Sequence, residues 1–362
     1  MAGPDFSWLP LATNFPAGLD TQTDPVALQD GFSPDAYGMD IDYPGRLVSG
    51  SIPTGTAQVA KTYTIGSNVW SEYFDRMWRI NTTPTPDTLL YLATGYLGTT
   101  AAYEQMVQGR GAVEFADDAQ NILTFLPAGN NMFVAKSTGG YMIFNANTDG
   151  DIKRRSDIEE AMKISNKANC NVLDSLAFAS NGNGLMAWDG NRVVEVTANV
   201  RRNKDNSLFS YFQNQALLID PQKRRVIGTG SFVYDMGMKK LFQWGASGFR
   251  FTSRVLTDNR SRKGLRRPFI ADSIAFHIEN TTQAVGTIKF QVRRGRNTWE
   301  DEEEIPVRWE NDSFTRVEKN LENDFISRQF QIRVTSLPSH VHVHAIDVRA
   351  NIGTSVEESS GQ

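Results

Sequence analysis

Among 362 residues there is one cysteine, four histidines and no apolar run long enough to span a membrane. A lone thiol, Cys170, forms neither an intramolecular disulfide nor a thiolate zinc site, which fits folding in a reducing cytoplasm. The first residues lack a basic stretch followed by an apolar core and carry Asp5, so no secretory leader is expected. A membrane helix needs about 18 consecutive apolar residues, and none is expected here. The formal net charge of −4 exerts no global pull toward nucleic acid. Neither Gly-x-Ser-x-Gly nor a phosphate-binding glycine loop ending in Gly-Lys-Ser/Thr occurs. What the chain does have is a 40% hydrophobic and 10% aromatic content, enough to bury real cores over two domains and appendages.

Half of its 14 prolines fall before residue 54: Pro4, Pro10, Pro16, Pro25, Pro34, Pro44 and Pro53. Proline fixes φ and removes a backbone donor, so neither a long helix nor a central strand is expected over residues 1–57. Yet Phe6, Trp8, Leu11, Phe15, Leu28, Met39, Ile41 and Tyr43 lie in the same stretch, and a disordered linker is poor in such residues. An extended arm follows, lying either on its own body or on a neighbouring subunit.

From 58 to 250, short apolar runs alternate with turn residues. Runs 122–126, 131–136 and 140–145 form one triplet; 175–179, 184–188 and 192–197 form a second, with Asn181-Gly182 and Asp189-Gly190 as hairpin signals. Weaker copies occupy 69–93 and 225–244. Met77, Met132, Met186 and Val233 then recur at separations of 55, 54 and 47 residues. A period near 50 with three or four strands per unit predicts a β-propeller-like domain of four or five blade-like units, the competing architecture being an irregular β-sandwich. Ser156-Asp157-Ile158-Glu159 has capping-box spacing and predicts a helical insertion near 156–167. Over 251–350, strict alternation at Ile274, Phe276 and Ile278, at Ile288, Phe290 and Val292, and at Phe330, Ile332 and Val334 predicts an antiparallel β-sandwich. Residues 351–362 read as a polar tail. The fold class is therefore all-β.

Chemistry-bearing residues are few. His340, His342 and His344 alternate along one strand and share a face, the spacing at which imidazoles hold one metal. Asn145, Asn147, Asp149 and Asp151 with Gly150 repeat the front of a calcium loop, but position one is not an aspartate and position twelve is Ser156 instead of glutamate. An Asx-rich turn accounts for the same residues. Glu114, Asp117 and Asp118 are the carboxylates available to a glycosidase-type pair. No catalytic set and no cofactor is expected from them. Basic blocks recur at 153–155, 201–202, 223–225, 260–267 and 293–296, and an acidic one spans 300–304, so that Arg293 to Glu304 puts opposite signs on the two sides of one hairpin connection around Trp299. Such runs are expected as solvated loops or as complementary charges between subunits, with DNA contact by Arg260 to Arg267 a minor option for want of an aromatic platform.

Gly18-Leu19-Asp20-Thr21 through Asp24-Pro25 and Leu28 to Asp30-Gly31, followed by Met39-Asp-Ile-Asp-Tyr-Pro44-Gly45, resembles the opening of many tailed-phage virion proteins. The units at 122–145 and 175–197 look like the blades of that group. The ending Arg328-Gln-Phe-Gln-Ile-Arg-Val-Thr-Ser336, with Asp347-Val-Arg349, is similar to the last strand pair of its accessory β-domain. The resemblance implies a structural, non-enzymatic component of a phage tail, of the nozzle or tail-tube-extension kind. It implies a homo-oligomeric ring, sixfold as in related tail rings, around the DNA channel. Copies of itself, other tail proteins and genomic DNA passing through the lumen are then its partners, in a virion assembled in the bacterial cytoplasm. The competing function is a receptor- or glycan-binding tail module using Trp244, Trp299 and Trp309.

Overall fold

The computed structural model describes residues 6–13, 15, 18–19, 27–28, 32–50, 53–65, 67–81, 87–92, 111–116, 120–148, 152, 155–200, 207–229, 232–244, 248–258, 268–282, 284–295, 298–308, 314–321 and 326–351. Four short strands come from the first fifty residues: β1 (Ser7–Ala12), β2 (Gly18–Leu19), β3 (Phe32–Ser33) and β4 (Ala36–Tyr37). An antiparallel sheet follows from β5 (Lys61–Ile65), β6 (Asn68–Tyr73), β7 (Arg76–Ile80), β8 (Thr88–Tyr91) and β9 (Gly111–Glu114). The next contains β10 (Ile122–Ala128), β11 (Asn131–Lys136) and β12 (Gly140–Ile143). The third contains β13 (Cys170–Leu173), β14 (Leu176–Asn181), β15 (Gly184–Trp188) and β16 (Val193–Glu195). After β17 (Leu217–Asp220), β18 (Arg225–Gly228) and β19 (Phe232–Asp235) come β20 (Lys240–Gln243), β21 (Arg250–Thr252), β22 (Phe269–Asn280), β23 (Gly286–Arg294) and β24 (Glu303–Val307). The chain ends with β25 (Thr315–Asn320), β26 (Ile326–Ser327), β27 (Phe330–Ser336) and β28 (Val341–Ala350).

These strands divide into two compact units. One comprises Pro53–Ala198 and Asn203–Lys239, the other Met1–Ile52, Asn199–Arg202 and Lys240–Gln362. The first unit is a series of three up-and-down sheets followed by a fourth set of strands, β17–β18–β19, the propeller-like arrangement expected from the period. Turn chemistry sets the register of each. At Asp189, one carboxylate oxygen accepts from the amides of Asn191 and Arg192, both at 2.8 Å, while Gly190 takes φ 97°. The β6–β7 turn puts Phe74 and Asp75 at φ 57° and 55°, the positive pair a tight hairpin requires.

Apolar faces join successive sheets. Trp78, Leu89, Val113 and Phe115 pack with Met132, Val134, Tyr141 and Ile143 between the first and second. Phe133, Ala135 and Met142 pack with Val172, Ala179, Met186 and Trp188 between the second and third. Asn171 Nδ2 donates to Leu217 O at 2.9 Å, and Phe178 meets Tyr234 at 6.2 Å, between the third and fourth. The segment leading into the first sheet is fastened to the fourth, because Thr56 and Ile219 exchange both backbone hydrogen bonds at 2.8 Å. That clasp links the two ends of the series.

The expected helix at 156–167 is replaced by single 3-10 turns, Glu160–Met162 and Lys167–Asn169. Residues 155–159 are extended instead and bridge β12, through Ile143 with Arg155 and Gly140 with Glu159. Ser156 does not cap. Its hydroxyl accepts from the Met142 amide at 2.9 Å, so pairing with a sheet edge outcompetes the local capping box. The effect is to give the three-stranded second sheet an irregular fourth edge.

The second unit is a β-sandwich that includes the arm. One sheet runs β1–β28–β22–β25, with β26 on β22; the other contains β20–β4–β21–β27–β23–β24. Ile274, Phe276, Ile278, Ile288, Phe290, Val292, Phe330, Ile332 and Val334 are all buried, with Phe276 and Phe290 meeting at 5.5 Å. The domain boundary expected at 250 falls earlier, since Gln243 of β20 pairs with Tyr37 of β4. Of the arm's two expected resting places, the described residues take their own body. β1 pairs along β28 from Ser7–Ala350 to Ala12–Ile346, and Leu47 exchanges hydrogen bonds with Val343 at 2.7 and 2.9 Å. The polar tail lies outside the described residues, apart from Asn351.

Candidate interaction surface

The turn at residues 39–46 covers the histidine strand. Val341 and Val343 are fully buried in the sandwich, and His342 between them is turned the other way under Tyr43, with ring centroids 4.7 Å apart. Arg46 Nη1 lies 3.2 Å from His342 Nδ1 and 2.7 Å from Glu279 Oε2. The same carboxylate oxygen lies 3.2 Å from His344 Nε2. His342 and His344 are thus brought together, while His340 sits in the preceding turn and does not join them. Arg46 places a positive charge against both His342 and Glu279, where a metal shared by them would have to sit. Among the described residues, no three His, Cys, Asp or Glu side chains are grouped as metal ligands.

Burial, and then the charge of Arg46, push the His342 imidazole below its ordinary value. A depressed histidine holds fewer protons folded than unfolded, so stability falls as pH drops from about 6.5 toward the folded value. His342→Gln removes that titration. The expected result is that wild-type thermal stability declines below about pH 6.5 more steeply than that of the variant. Equal slopes would mean that His342 is not held neutral by the arm.

Two large rings stand exposed beside this cluster: Tyr43 is 42% and Phe314 68% exposed, with Phe314 4.6 Å from His344. Phe314 also takes φ 79°, unusual for a bulky side chain.

The outward face of the other sheet carries a second grouping. Alternation that buries Val292, Ile332 and Val334 turns Arg293 and Arg333 outward, and Phe251 does the same for Arg250. Asp35 Oδ2 bridges Arg250 at 3.3 Å and Arg333 at 3.2 Å. Arg333 lies 4.1 Å and Arg293 5.0 Å from the centroid of Trp299, and Arg250 lies 5.1 Å from that of Tyr37. Burial lowers the pKa of Arg293 and Arg333 from the usual guanidinium value; at Arg333 the neighbouring Arg250 and Arg293 add to this and Asp35 opposes it. Arg293 and Trp299 stood out in the sequence, but Asp35, Arg250 and Arg333 did not. Their signal is the outward phase of the alternation whose apolar half marks the core.

The remaining candidates disperse. Asn145 takes φ 53° in a turn where its carbonyl accepts from Thr148, and its amide donates to Asn131 Oδ1 at 3.0 Å. Asn147 is exposed beside it, whereas Asp149 and Asp151 lie outside the described residues. So do Asp117, Asp118 and Trp309; Glu114 is exposed at the end of β9. Trp244 and Trp188 are buried, and Trp299 is covered by two guanidiniums, so none presents an open face to a sugar. The basic blocks are likewise not simple solvated runs. Arg225 is buried against Asp235 at 3.0 Å, Arg224 pairs with Asp174, and Arg155 lies over Phe115 and Tyr141. Residues 153–154, 201–202, 260–267 and 296 lie outside the described residues. In the propeller-like unit, a cavity of about 360 Å³ is lined by Asn68, Trp70, Arg79, Leu90, Tyr91, Leu92 and Gly111. Among the described residues no helix is long and apolar enough to cross a membrane.

No protein-family model and no curated protein matches the sequence. Among solved structures, an exo-β-1,3-galactanase from Phanerochaete chrysosporium with galactose aligns at 9% identity over 84% of this chain and 100% of its own, with a TM-score of 0.20. A variant form of that enzyme with β-1,3-galactotriose aligns at 12% identity, over 84% and 69%, with a TM-score of 0.18. Overlaps this small carry nothing about the fold or activity of this chain.

Proposed function

We propose that this chain is a non-enzymatic structural component of a bacteriophage tail, forming a homo-oligomeric ring around the DNA channel and docking other tail proteins. The observation that carries the reading is the convergence of three separated stretches on one unit. The arm turn at 39–45, the strand at 328–336 and the residues Asp347 to Arg349 are three of the stretches that resemble virion proteins; the blade-like stretches at 122–145 and 175–197 lie in the other unit. In the sandwich, Arg46 and Leu47 at the end of that turn contact His342, Val343 and Glu279. Strand β1 lies along Asp347, Val348 and Arg349. Residues 32–37 dock on β21, which in turn pairs with β27. Three stretches spread over more than 300 positions thus pack within one unit, which suits a common structural task.

The tail reading also gives a use to the exposed Tyr43 and Phe314, as contact points for a neighbouring virion protein. It is tested by mass spectrometry of purified particles of a phage that encodes the chain. The chain is expected among the tail proteins at a stoichiometry near that of the other ring components. Recovery from infected-cell lysate but never from particles would contradict it.

A further inference from the structure

The outward face of the sheet β20–β4–β21–β27–β23–β24 is split by charge. Arg250, Arg333 and Arg293 project from three successive inner strands, β21, β27 and β23, with Asp35 as the carboxylate among them. Along the adjoining outer edge at β24, Glu300, Asp301, Glu302, Glu303 and Glu304 are consecutive. On this face Lys289 meets Glu304 at 2.8 Å and Glu302 at 3.4 Å; Glu303 is turned inward to Lys319 of the opposite sheet at 3.0 Å, and Glu300 lies 3.5 Å from the enclosed Arg294. Three guanidiniums against one carboxylate leave an excess of two positive charges. Asp301, Glu302 and Glu304 against Lys289 leave an excess of two negative ones.

A face with two adjoining patches of equal and opposite charge repels a uniformly charged partner at one of them, but is complementary to another copy of itself. The basic patch is also built from the residue types that dominate interface energetics, namely three arginines with Trp299 and Tyr37. Stacking on Trp299 and the Asp35 bridges hold these arginines in place, so little side-chain freedom is left to lose on contact. Strand addition is blocked at the acidic patch, where Pro306 and exposed Glu304 sit on the outer strand β24. The contact must therefore be made through side chains.

We propose that the Arg250–Arg333–Arg293 patch of this face docks against the acidic 300–304 segment of a second copy of the chain. This rests on the reading of the protein as an assembling tail component, to which it adds a specific subunit contact. Repeated head to tail it builds a ring, and around a twofold axis it builds a dimer.

Charge-swap rescue tests it. Arg250→Glu with Arg293→Glu forms one variant, and Asp301→Lys with Glu304→Lys the other; Arg333 is left intact because it is the most enclosed. Sedimentation equilibrium is run on each alone and on an equimolar mixture, with circular dichroism confirming that both fold. Each variant alone is expected to self-associate about tenfold or more weakly than wild type, and the mixture to regain wild-type association. Raising salt from about 0.05 to 0.5 M should weaken the wild-type contact.

Wild-type protein that stays monomeric at high concentration, association unchanged in either folded variant, or a mixture that does not recover would each overturn the contact. So would wild-type binding to a single-stranded DNA oligonucleotide that Arg250→Glu with Arg293→Glu abolishes while association is untouched, since the face would then be a nucleic-acid surface. Particle composition is read independently. Presence in the tail with no charge rescue removes this contact alone, and charge rescue with absence from particles removes the tail reading alone.

Discussion

A chain lacking residues 1–50 is expected to lose its C-terminal sandwich altogether. Leu11, Phe15, Leu28, Met39, Ile41, Leu47 and Val48 are all buried. At about 1.5–3 kcal/mol for each buried side chain, their removal withdraws roughly 10–20 kcal/mol of apolar burial. A whole domain is stable by only about 5–15 kcal/mol. The loss reaches beyond burial. Without β1, the outer edge of β28 from Ile346 to Ala350 has no partner, and without β4 the strand β21 loses one neighbour. Phe251 also loses the edge-to-face ring of Phe15 at 5.0 Å. Expression of residues 51–362 should give insoluble or protease-sensitive protein, with a melting transition for the sandwich absent from calorimetry. A truncated chain that melts like the full one would show that the arm contributes nothing to the unit on which it lies.

Asp235→Ala is expected to cost about 3–5 kcal/mol, among the largest effects of any single substitution in the propeller-like unit. Asp235 and Arg225 face each other across the β18–β19 hairpin, with side chains only 9% and 7% exposed and an ion pair at 3.0 Å. The same carboxylate accepts from the Met238 amide at 2.9 Å and so shapes the following turn. Removing it leaves a guanidinium buried without its carboxylate, which is worse than never having buried the pair. Replacing both residues by leucine should therefore cost less than Asp235→Ala alone. Urea denaturation of the three proteins checks the order. A loss below about 1 kcal/mol for Asp235→Ala would mean that water reaches Arg225 freely.

Much of the sandwich is legible in the sequence because its strands bury one face only. Ile288, Phe290 and Val292 alternate with Lys289, Gln291 and Arg293, and the structure keeps that phase. The blade series is legible for a related reason, since Asp189-Gly190 and Asn181-Gly182 mark hairpins through local backbone chemistry. Local signals fail where a distant partner intervenes. The capping box at Ser156 is overridden by hydrogen bonds to Met142 of β12. The histidine triplet has metal-site spacing, but its environment is decided by Arg46 and Tyr43, nearly 300 positions earlier. The arm's apolar content signals that it lies on something, whereas only the pairings of β1 and Leu47 identify that surface. The arginine face was hidden for the same reason, because Asp35, Arg250 and Arg333 are neighbours only in the folded sheet.

Electron cryomicroscopy of the assembled phage particle, with averaging over the tail, tests the central claim most directly. The account requires several copies of this chain in a closed ring around the DNA channel, each with its arm on its own sandwich and the arginine face toward the neighbouring acidic segment. A tail reconstructed to side-chain detail in which this chain has no density, or appears only as a single peripheral copy, would contradict it.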